Sequence, residues 1–496
     1  MKKKILSAIS LVLCFAMMFS VMAVPAFAEG EGFAPERISV CVNGDASASR
    51  GFCWYTDAEC DSLVQIFADG VDVTSTLTLK DVICKAWEGS YMHKVTVIGL
   101  TAGKTYNFRV GDGTNWSNFG TFTTDNGDDK VNFVAIADVQ AGSLENFQKG
   151  ANALSAALGM MPDADFVVNC GDFTDDSTNE EWDLYDAAFG EININTTLVP
   201  VAGNHDGLGV WNWFDNMFNL DTSESVETFD GVNYSFDYGN IHFAVLNTND
   251  LLSVSLSQLR WLENDMNSTD KDWKIVAMHK SPYSLGKDAK WPDAMYLQDE
   301  LAETLDRCNV DLVLSGHDHM YLRTKALKGG EVNEDGTVYV LAGTAGAKRY
   351  EIRSFLAGSF IETDMIGALT VQKDGYANYW NGTDWNSTKD TNVGSCFNCV
   401  SIDGGSLTFN SYILADEKAE DGSDVITNID SFTITKETGL NVPTTDGGYV
   451  TGDIEYVAYA VPSLMNLLGY TLMDWLPKFL FMLPELLKVY ITEGTF

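Results

Sequence analysis

Val310-Asp311-Leu312-Val313-Leu314-Ser315-Gly316-His317-Asp318-His319 is a run of strand-forming residues that stops at a glycine and delivers two histidines just beyond it. A short run rich in Val and Leu, closed by a turn signal, reads as a strand buried on both faces. Its two histidines stand two positions apart. In extended chain that spacing puts them on one side, and at a strand-to-loop junction each can meet a different partner. Working outward, the same design recurs. VNFVAIA (131–137) ends on Asp138, ADFVVNC (164–170) on Gly171-Asp172, TTLVPVA (196–202) on Gly203-Asn204-His205-Asp206, and WKIVAM (273–278) on His279. Four of the chain's six histidines fall in this ordered set.

Between these strands lie stretches of helical spacing. They are NFQKGANALSAALGMM (146–161), SLSQLRWLENDMN (255–267) and DAMYLQDELAETLDRC (293–308). The second offers Leu256, Leu259, Trp261, Leu262 and Met266 for one apolar face. Continuous apolar strands alternating with helices over residues 130–437 predict a sheet covered on both faces. Ligands of such sheets bind at the carboxyl ends of the strands, and all five motifs fall at that end. Residues far apart in sequence are therefore expected around one cleft.

Residues 33–125 have a different character: short alternating segments such as RISVCV, RGFCWYT, HKVTVIG and TYNFRVG, separated by Gly, Asp and Asn turns, predict an all-β domain. The stretch GLTAGKTYNFRVG (99–111) resembles the corner of a fibronectin type III sandwich, with Leu100 in the core and Tyr106 as the corner tyrosine. Residues 124–129, Thr-Asp-Asn-Gly-Asp-Asp, read as a linker.

The chain has 496 residues, 45% of them hydrophobic, and a formal net charge of −39. That length supports two or three domains with ample core. The charge repels nucleic acid and anionic lipid, and nucleic acid is not an expected partner. It also repels phosphorylated substrates at long range, and a phosphate site here needs local positive charge of the kind metal ions supply.

At the amino terminus, Lys2, Lys3 and Lys4 precede an apolar stretch to Val24, and Ala26-Phe27-Ala28 follows. This pattern predicts a signal peptide over residues 1–28 and a secreted or cell-surface protein. Eight of the nine cysteines lie beyond it, an even number that suits export. Cys41, Cys53, Cys60 and Cys84 allow three connectivities. Cys396 and Cys399 form a lone C-x-x-C, read as a local disulfide or loop staple rather than a zinc knuckle, and Cys170 reads as a core residue. The segment 453–496, apolar from Tyr456 to Ile491, is broken by Pro462, Pro477, Pro484 and several charges. It predicts amphipathic helices docked on the body, with a membrane-surface or partner contact as the sharper alternative.

Aspartate, asparagine and histidine are the donors that suit Mn, Fe or Zn ions. The carboxylate of Asp172 can bridge two cations, bringing them to about 3.5–4 Å apart. Asp138 and His319 complete one side of the expected pair, and Asn204, His279 and His317 the other. Water held between such ions ionises far more readily than in bulk, with a pKa of about 7 in favourable sites. The hydroxide can then attack phosphorus in line. His205 is expected to hydrogen-bond phosphate and protonate the leaving oxygen, with Asp206 orienting its ring or raising its pKa. His242 and His93 read as structural, and Tyr321 and Arg323 as either cleft-lining or packing residues.

The motif order D, GD, GNH[DE], H, GHxH resembles the calcineurin-like metallophosphoesterase superfamily. With the preceding β domain, the chain resembles more narrowly the purple acid phosphatases and their bacterial relatives. The resemblance covers residues 33–437 and leaves the tail unmatched. It implies a four-layer α/β sandwich, a two-metal centre (Fe, Mn or Zn) and hydrolysis of small phosphorylated substrates, most simply phosphate monoesters. A phosphodiesterase or nucleotide hydrolase on the same scaffold, or a non-catalytic surface binding protein, are the alternatives. Purple acid phosphatases carry a tyrosine three residues after the GD aspartate, and its phenolate bound to iron gives the colour. Here that position is Asp175, so no such colour is expected. Other branches place a histidine where this chain has Gln140. Either Asp175 or Gln140 is left to complete the first metal's shell, and the anionic Asp175 is preferred.

Overall fold

The computed structural model describes residues 34–441, apart from 208–212, 227–230, 251–252, 438 and parts of 287–295, 351–362 and 374–392. The expected signal peptide and the tail 453–496 lie outside the described residues.

Three apolar runs become the parallel strands Lys130–Ile136, Phe166–Asn169 and Leu198–Pro200, neighbours near the middle of an eleven-stranded sheet. They are apolar on both sides because both sides are covered. Phe147, Ala151 and Leu154 of helix Leu144–Met160 and Trp182 and Phe189 of helix Asn179–Asn193 join their core. On the other side Phe133 and Phe166 meet Phe243 of a second sheet, with ring centroids 6.1 Å apart in both pairs. Helix Asn179–Asn193 starts at a full capping box: Thr178 accepts from the Glu181 N–H while the Glu181 carboxylate accepts from the Thr178 N–H.

The second sheet has nine strands around the parallel set Ile241–Val245, Trp273–Ala277, Leu312–Ser315 and Val338–Ala342. Period-two alternation explains its double coverage: Leu312 and Leu314 face the first sheet, while Val313 joins the outer core with Leu259, Leu262, Met266 and Leu305. Those residues come from helices Leu256–Ser268 and Ala302–Cys308. Helix, sheet, sheet, helix is the four-layer order expected. Leu256 departs from the predicted apolar face. It is 59% exposed, because the first helical residue lies outside the stripe set by Leu259, Leu262 and Met266.

The amino-terminal β sandwich has its own core, including Val40, Phe52, Trp54, Val97 and Phe108, and Tyr106 accepts the Thr101 N–H at 2.9 Å as a tyrosine corner does. Its larger sheet, however, is not separate. Strand Glu36–Cys41 pairs in parallel with Leu198–Pro200, Cys41 opposite Leu198, and so continues the eleven-stranded sheet. Strand Ser49–Thr56 accordingly serves two cores, with Phe52 and Trp54 facing inward to the sandwich and Cys53 and Tyr55 facing the other way. Residues 124–129 are likewise tied down: the Asp125 carboxylate accepts from the Gly127 and Gly239 N–H groups.

One further reading is corrected, and one choice left open is decided. Cys396 and Cys399 lie within one strand, Gly394–Asp403, where positions three apart point to opposite faces, so they cannot staple a loop to itself. Both thiols are free. Tyr321 and Arg323 do not line a cleft: both are buried and bind the Asp430 carboxylate.

Candidate metal centre

The first sheet ends in Asp138, Asp172 and Asn204 and the second in His279, His317 and His319, so the donors face each other across the seam between the sheets. Backbone bonds hold the strand ends in register: Asp138 N–H to Gly171 O, Gln140 N–H to Asp172 O, and Gly316 N–H to His279 O, at 2.8–3.0 Å. Asp138, Asp172, His317 and His319 all have left-handed backbone, with φ of 53°, 56°, 76° and 49°. Strain of this kind at non-glycine residues collects where structure is held for function.

Two groups of donors result, Asp172 with His279 and His317, and Asp138 with Asp172 and His319. Within each group the candidate donor atoms lie within 4.8 Å of one another, and Asp172 belongs to both. His279 Nε2 is 3.2 Å from Asp172 Oδ2, 3.1 Å from Asn204 Oδ1 and 3.2 Å from His317 Nδ1. His319 Nε2 is 3.6 Å from Asp138 Oδ1. The far sides of two rings are fixed by carbonyls: His279 Nδ1–H donates to Cys170 O at 2.8 Å and His319 Nδ1–H to Lys348 O at 3.1 Å. Each bond selects the tautomer that leaves Nε2 turned to the carboxylates, as ligating histidines require.

Two glycines are there for space. A Cβ on Gly203 would lie 2.1 Å from Asp172 N and 2.2 Å from its Oδ1, and one on Gly316 would lie 2.8 Å from Asp138 Oδ2. Burial pushes the Asp138 carboxyl well above its ordinary range. Burial also acts to raise Asp172, but the charge and hydrogen bond of His279 outweigh it and hold that carboxyl low. His279 is in turn raised to about 9 against the effect of its burial, chiefly by Asp172, while burial and then the nearby His279 push His317 well down. Buried carboxylates, crowded imidazole nitrogens and one amide oxygen form a donor set that borderline transition-metal ions fit.

Asp206 and Asp175 stand elsewhere than expected. The Asp206 carboxylate is taken up by three backbone N–H groups, those of Asp172, Phe173 and Gly203, at 2.7–2.9 Å. It braces the Asp172 turn rather than the His205 ring. Asp175 is outside both donor groups, and its carboxylate binds the Lys348 ammonium. It is the Asp175 carbonyl that accepts from His205 Nδ1–H. Gln140 is buried, and its Oε1 has no hydrogen-bond partner. His205 itself is 35% exposed at the mouth of the site, with its N–H on Asp172 Oδ1 at 2.9 Å. His242 and His93 are structural, the first between Asp237 and Asp265 and the second between Thr56 and Ser62.

Sequence reading missed the segment after strand Val338–Ala342. Ala345 N–H and Gly346 N–H bond to the carbonyls of Ala137 and Asp138, and Tyr350 stacks on His319 at 4.2 Å. The available signal was positional: this is another strand end pointing at the same rim.

Comparison with known proteins agrees with this architecture. Residues 131–321 match the calcineurin-like phosphoesterase model, and residues 35–124 match the purple acid phosphatase N-terminal domain. Purple acid phosphatase 15 of Arabidopsis thaliana is 25% identical over 33% of this chain and 32% of its own length. The chain thus spans about a third of the length of that relative. Purple acid phosphatase 22 of the same plant is 22% identical over 62% of this chain and 71% of its own. The solved structure of purple acid phosphatase PPD1 from yellow lupin superposes with a TM-score of 0.60 at 17% identity, covering 81% of this chain and 74% of the other, a likeness of fold. The chain therefore carries a calcineurin-like phosphoesterase domain over residues 131–321, behind a purple acid phosphatase N-terminal domain over residues 35–124.

Proposed function

We propose that the protein is an exported, dinuclear-metal phosphoesterase that hydrolyses phosphate monoesters in the manner of acid phosphatases. The observation that carries this reading is the sharing of Asp172 between two donor groups, buried but for the half-buried His317, at one sheet seam. Asp138 and His319 would hold one ion and Asn204, His279 and His317 the other, with Asp172 common to both; Fe, Mn and Zn all suit these donors. Such ions supply the Lewis acidity that polarises a phosphoryl group and activates water.

The chain's own residues do the rest. His205, as the doubly protonated ring, donates Nδ1–H to the Asp175 carbonyl and presents Nε2–H to the substrate, passing that second proton to the leaving oxygen. Asp206 holds the turns at Asp172 and Gly203 through their amides. The strongly acidic surface and the cationic centre together favour a small phosphorylated substrate over nucleic acid. Export rests on the lysines and Ala26-Phe27-Ala28 of residues 1–28, and the phosphoesterase domain is taken as residues 130–437 after a β domain of residues 33–125.

Metal analysis together with paired assays tests this. About two ions per chain, and faster release of p-nitrophenol from the monoester than from bis(p-nitrophenyl) phosphate, are expected. Preference for the diester would reassign the substrate class. A metal-free protein inert toward both would end the hydrolase reading.

A further inference from the structure

Strand Ile241–Val245 also ends at the rim, yet the residues that follow it, Asn247-Thr248-Asn249, are not among the six donors. They bind instead to the two strand ends that deliver Asn204 and His279. Asn249 Nδ2–H donates to the Ala202 carbonyl at 2.9 Å, two residues before Asn204. Thr248 Oγ1, fully buried, accepts the Lys280 N–H at 2.9 Å, one residue after His279. One short segment thus grips both sides of the seam.

The segment is itself pinned. Asn247 Oδ1 accepts from Asn249 Nδ2–H at 2.9 Å and from the Asn249 N–H at 3.1 Å. Gln258 holds the Asn247 backbone by both groups: its Oε1 accepts the N–H at 2.7 Å and its Nε2–H donates to the carbonyl at 2.8 Å. Gln258 is fully buried at the start of helix Leu256–Ser268, where Ser255 Oγ caps its N–H at 3.1 Å. A buried amide is costly unless paired, and a paired one fixes position as an apolar side chain cannot.

We propose that Asn247, Thr248 and Asn249 form a positioning bracket for one ion of the pair, setting the span between Asn204 and His279. The proposal rests on the phosphoesterase reading and its assignment of the ions. Asn204 Oδ1 and His279 Nε2 stand 3.1 Å apart but arrive on different sheets, so nothing within either strand fixes that distance. A third strand end bonded to both removes the freedom. Asn204 also offers a neutral oxygen, which no charge draws to a cation, so the protein must place it. The other side of the centre is held by different groups. Asp138 is tied to Gly171 O and Thr344 Oγ1, and His319 to Lys348 O. Loss of the bracket is therefore selective: it frees one ion and spares the ion at Asp138 and His319.

Equilibrium dialysis of the full chain against graded free Mn2+, with no ester present, tests this. Thr248→Val removes the hydroxyl at nearly constant shape, and Asn249→Leu removes the amide. Contacts that orient ligands are worth about 10–100-fold in metal affinity, so each variant should weaken one binding step about tenfold or more and leave the other unchanged. Thr248→Ser, which keeps the hydroxyl, should bind as the unaltered protein does. Electron paramagnetic resonance gives a signature that a general loss of stability does not produce. The unaltered protein should show a spin-coupled Mn2+ pair, and Thr248→Val at the same free Mn2+ an isolated ion. Equal weakening of both steps would make the segment a general brace and overturn the proposal. Two unchanged steps in Thr248→Val would overturn it too, with the two-metal reading intact. An unaltered protein that takes up neither Mn2+ nor Zn2+ would remove that reading first and the bracket with it. Should Asn249→Leu fail to fold, the Thr248 variants alone decide.

Discussion

Asp172 is the residue on which the centre turns, because both donor groups need it. Asp172→Asn is expected to release both ions and abolish turnover while the circular dichroism spectrum stays native. His205→Ala should cost turnover and keep the ions, and metal loss there would contradict the leaving-group role. Glycines make the steric argument directly. Gly203→Ala would drive a methyl into Asp172 and should lose metal, whereas Gly159→Ala meets nothing within 4 Å and should leave stability equal or raise it by about 0.5 kcal/mol. His242 gives a pH dependence far from the metal donors. Burial disfavours its charged form, yet hydrogen bonds to Asp237 and Asp265 outweigh that and raise it to about 9. A group raised on folding stabilises fully below its unfolded value of about 6.5, and that stabilisation is lost as pH climbs through 9. Urea titrations at pH 6 and pH 10 should show His242→Gln costing up to about 3 kcal/mol at the first and far less at the second. Much of the donor set was legible in the sequence, since strand periodicity and terminal Asp, Asn and His residues placed all six donors at one sheet rim. The contacts of Asp175 were not. Its partner Lys348 is 173 residues away, and its contact with His205 runs through a backbone carbonyl, which any residue would supply.

Single elements show the same division. Helix Asn179–Asn193 begins with a Thr178–Glu181 capping box whose glutamate also accepts from the Asp176 N–H. One side chain thus closes the loop below Asp175 and starts the helix. Thr178→Ala should lower the unfolding free energy by about 1 kcal/mol in a denaturant titration, the usual cost of a lost cap. Helix Leu256–Ser268 was readable from its apolar spacing, but its edge was not, and Leu256 ended in solvent. The C-x-x-C pair was misleading for a related reason. Spacing three apart brings two thiols together in a turn or helix and separates them in the strand Gly394–Asp403, so the motif means nothing until the element is known.

For the whole molecule, the net charge of −39 should slow the approach of anionic esters. Added salt screens that repulsion over a Debye length of about 10 Å near 0.1 M, so kcat/KM for a dianionic monoester should rise with ionic strength before specific ion effects intervene. A fall would mean that the metal centre and its basic neighbours dominate the field felt by substrate. The β sandwich was visible in the sequence as alternating segments, but its union with the larger sheet was not. Parallel pairing of Cys41 with Leu198 is a meeting of partners distant in the chain, with no local signal. One consequence reaches beyond the amino-terminal half. Leu198–Pro200 leads within four residues to Asn204, and its outer neighbour is Glu36–Cys41. The amino-terminal lobe is therefore a fixed side rail for the segment that carries Asn204 to the candidate centre, not a passenger on a tether. Prying it away would unzip that rail and loosen the candidate centre before any donor was altered.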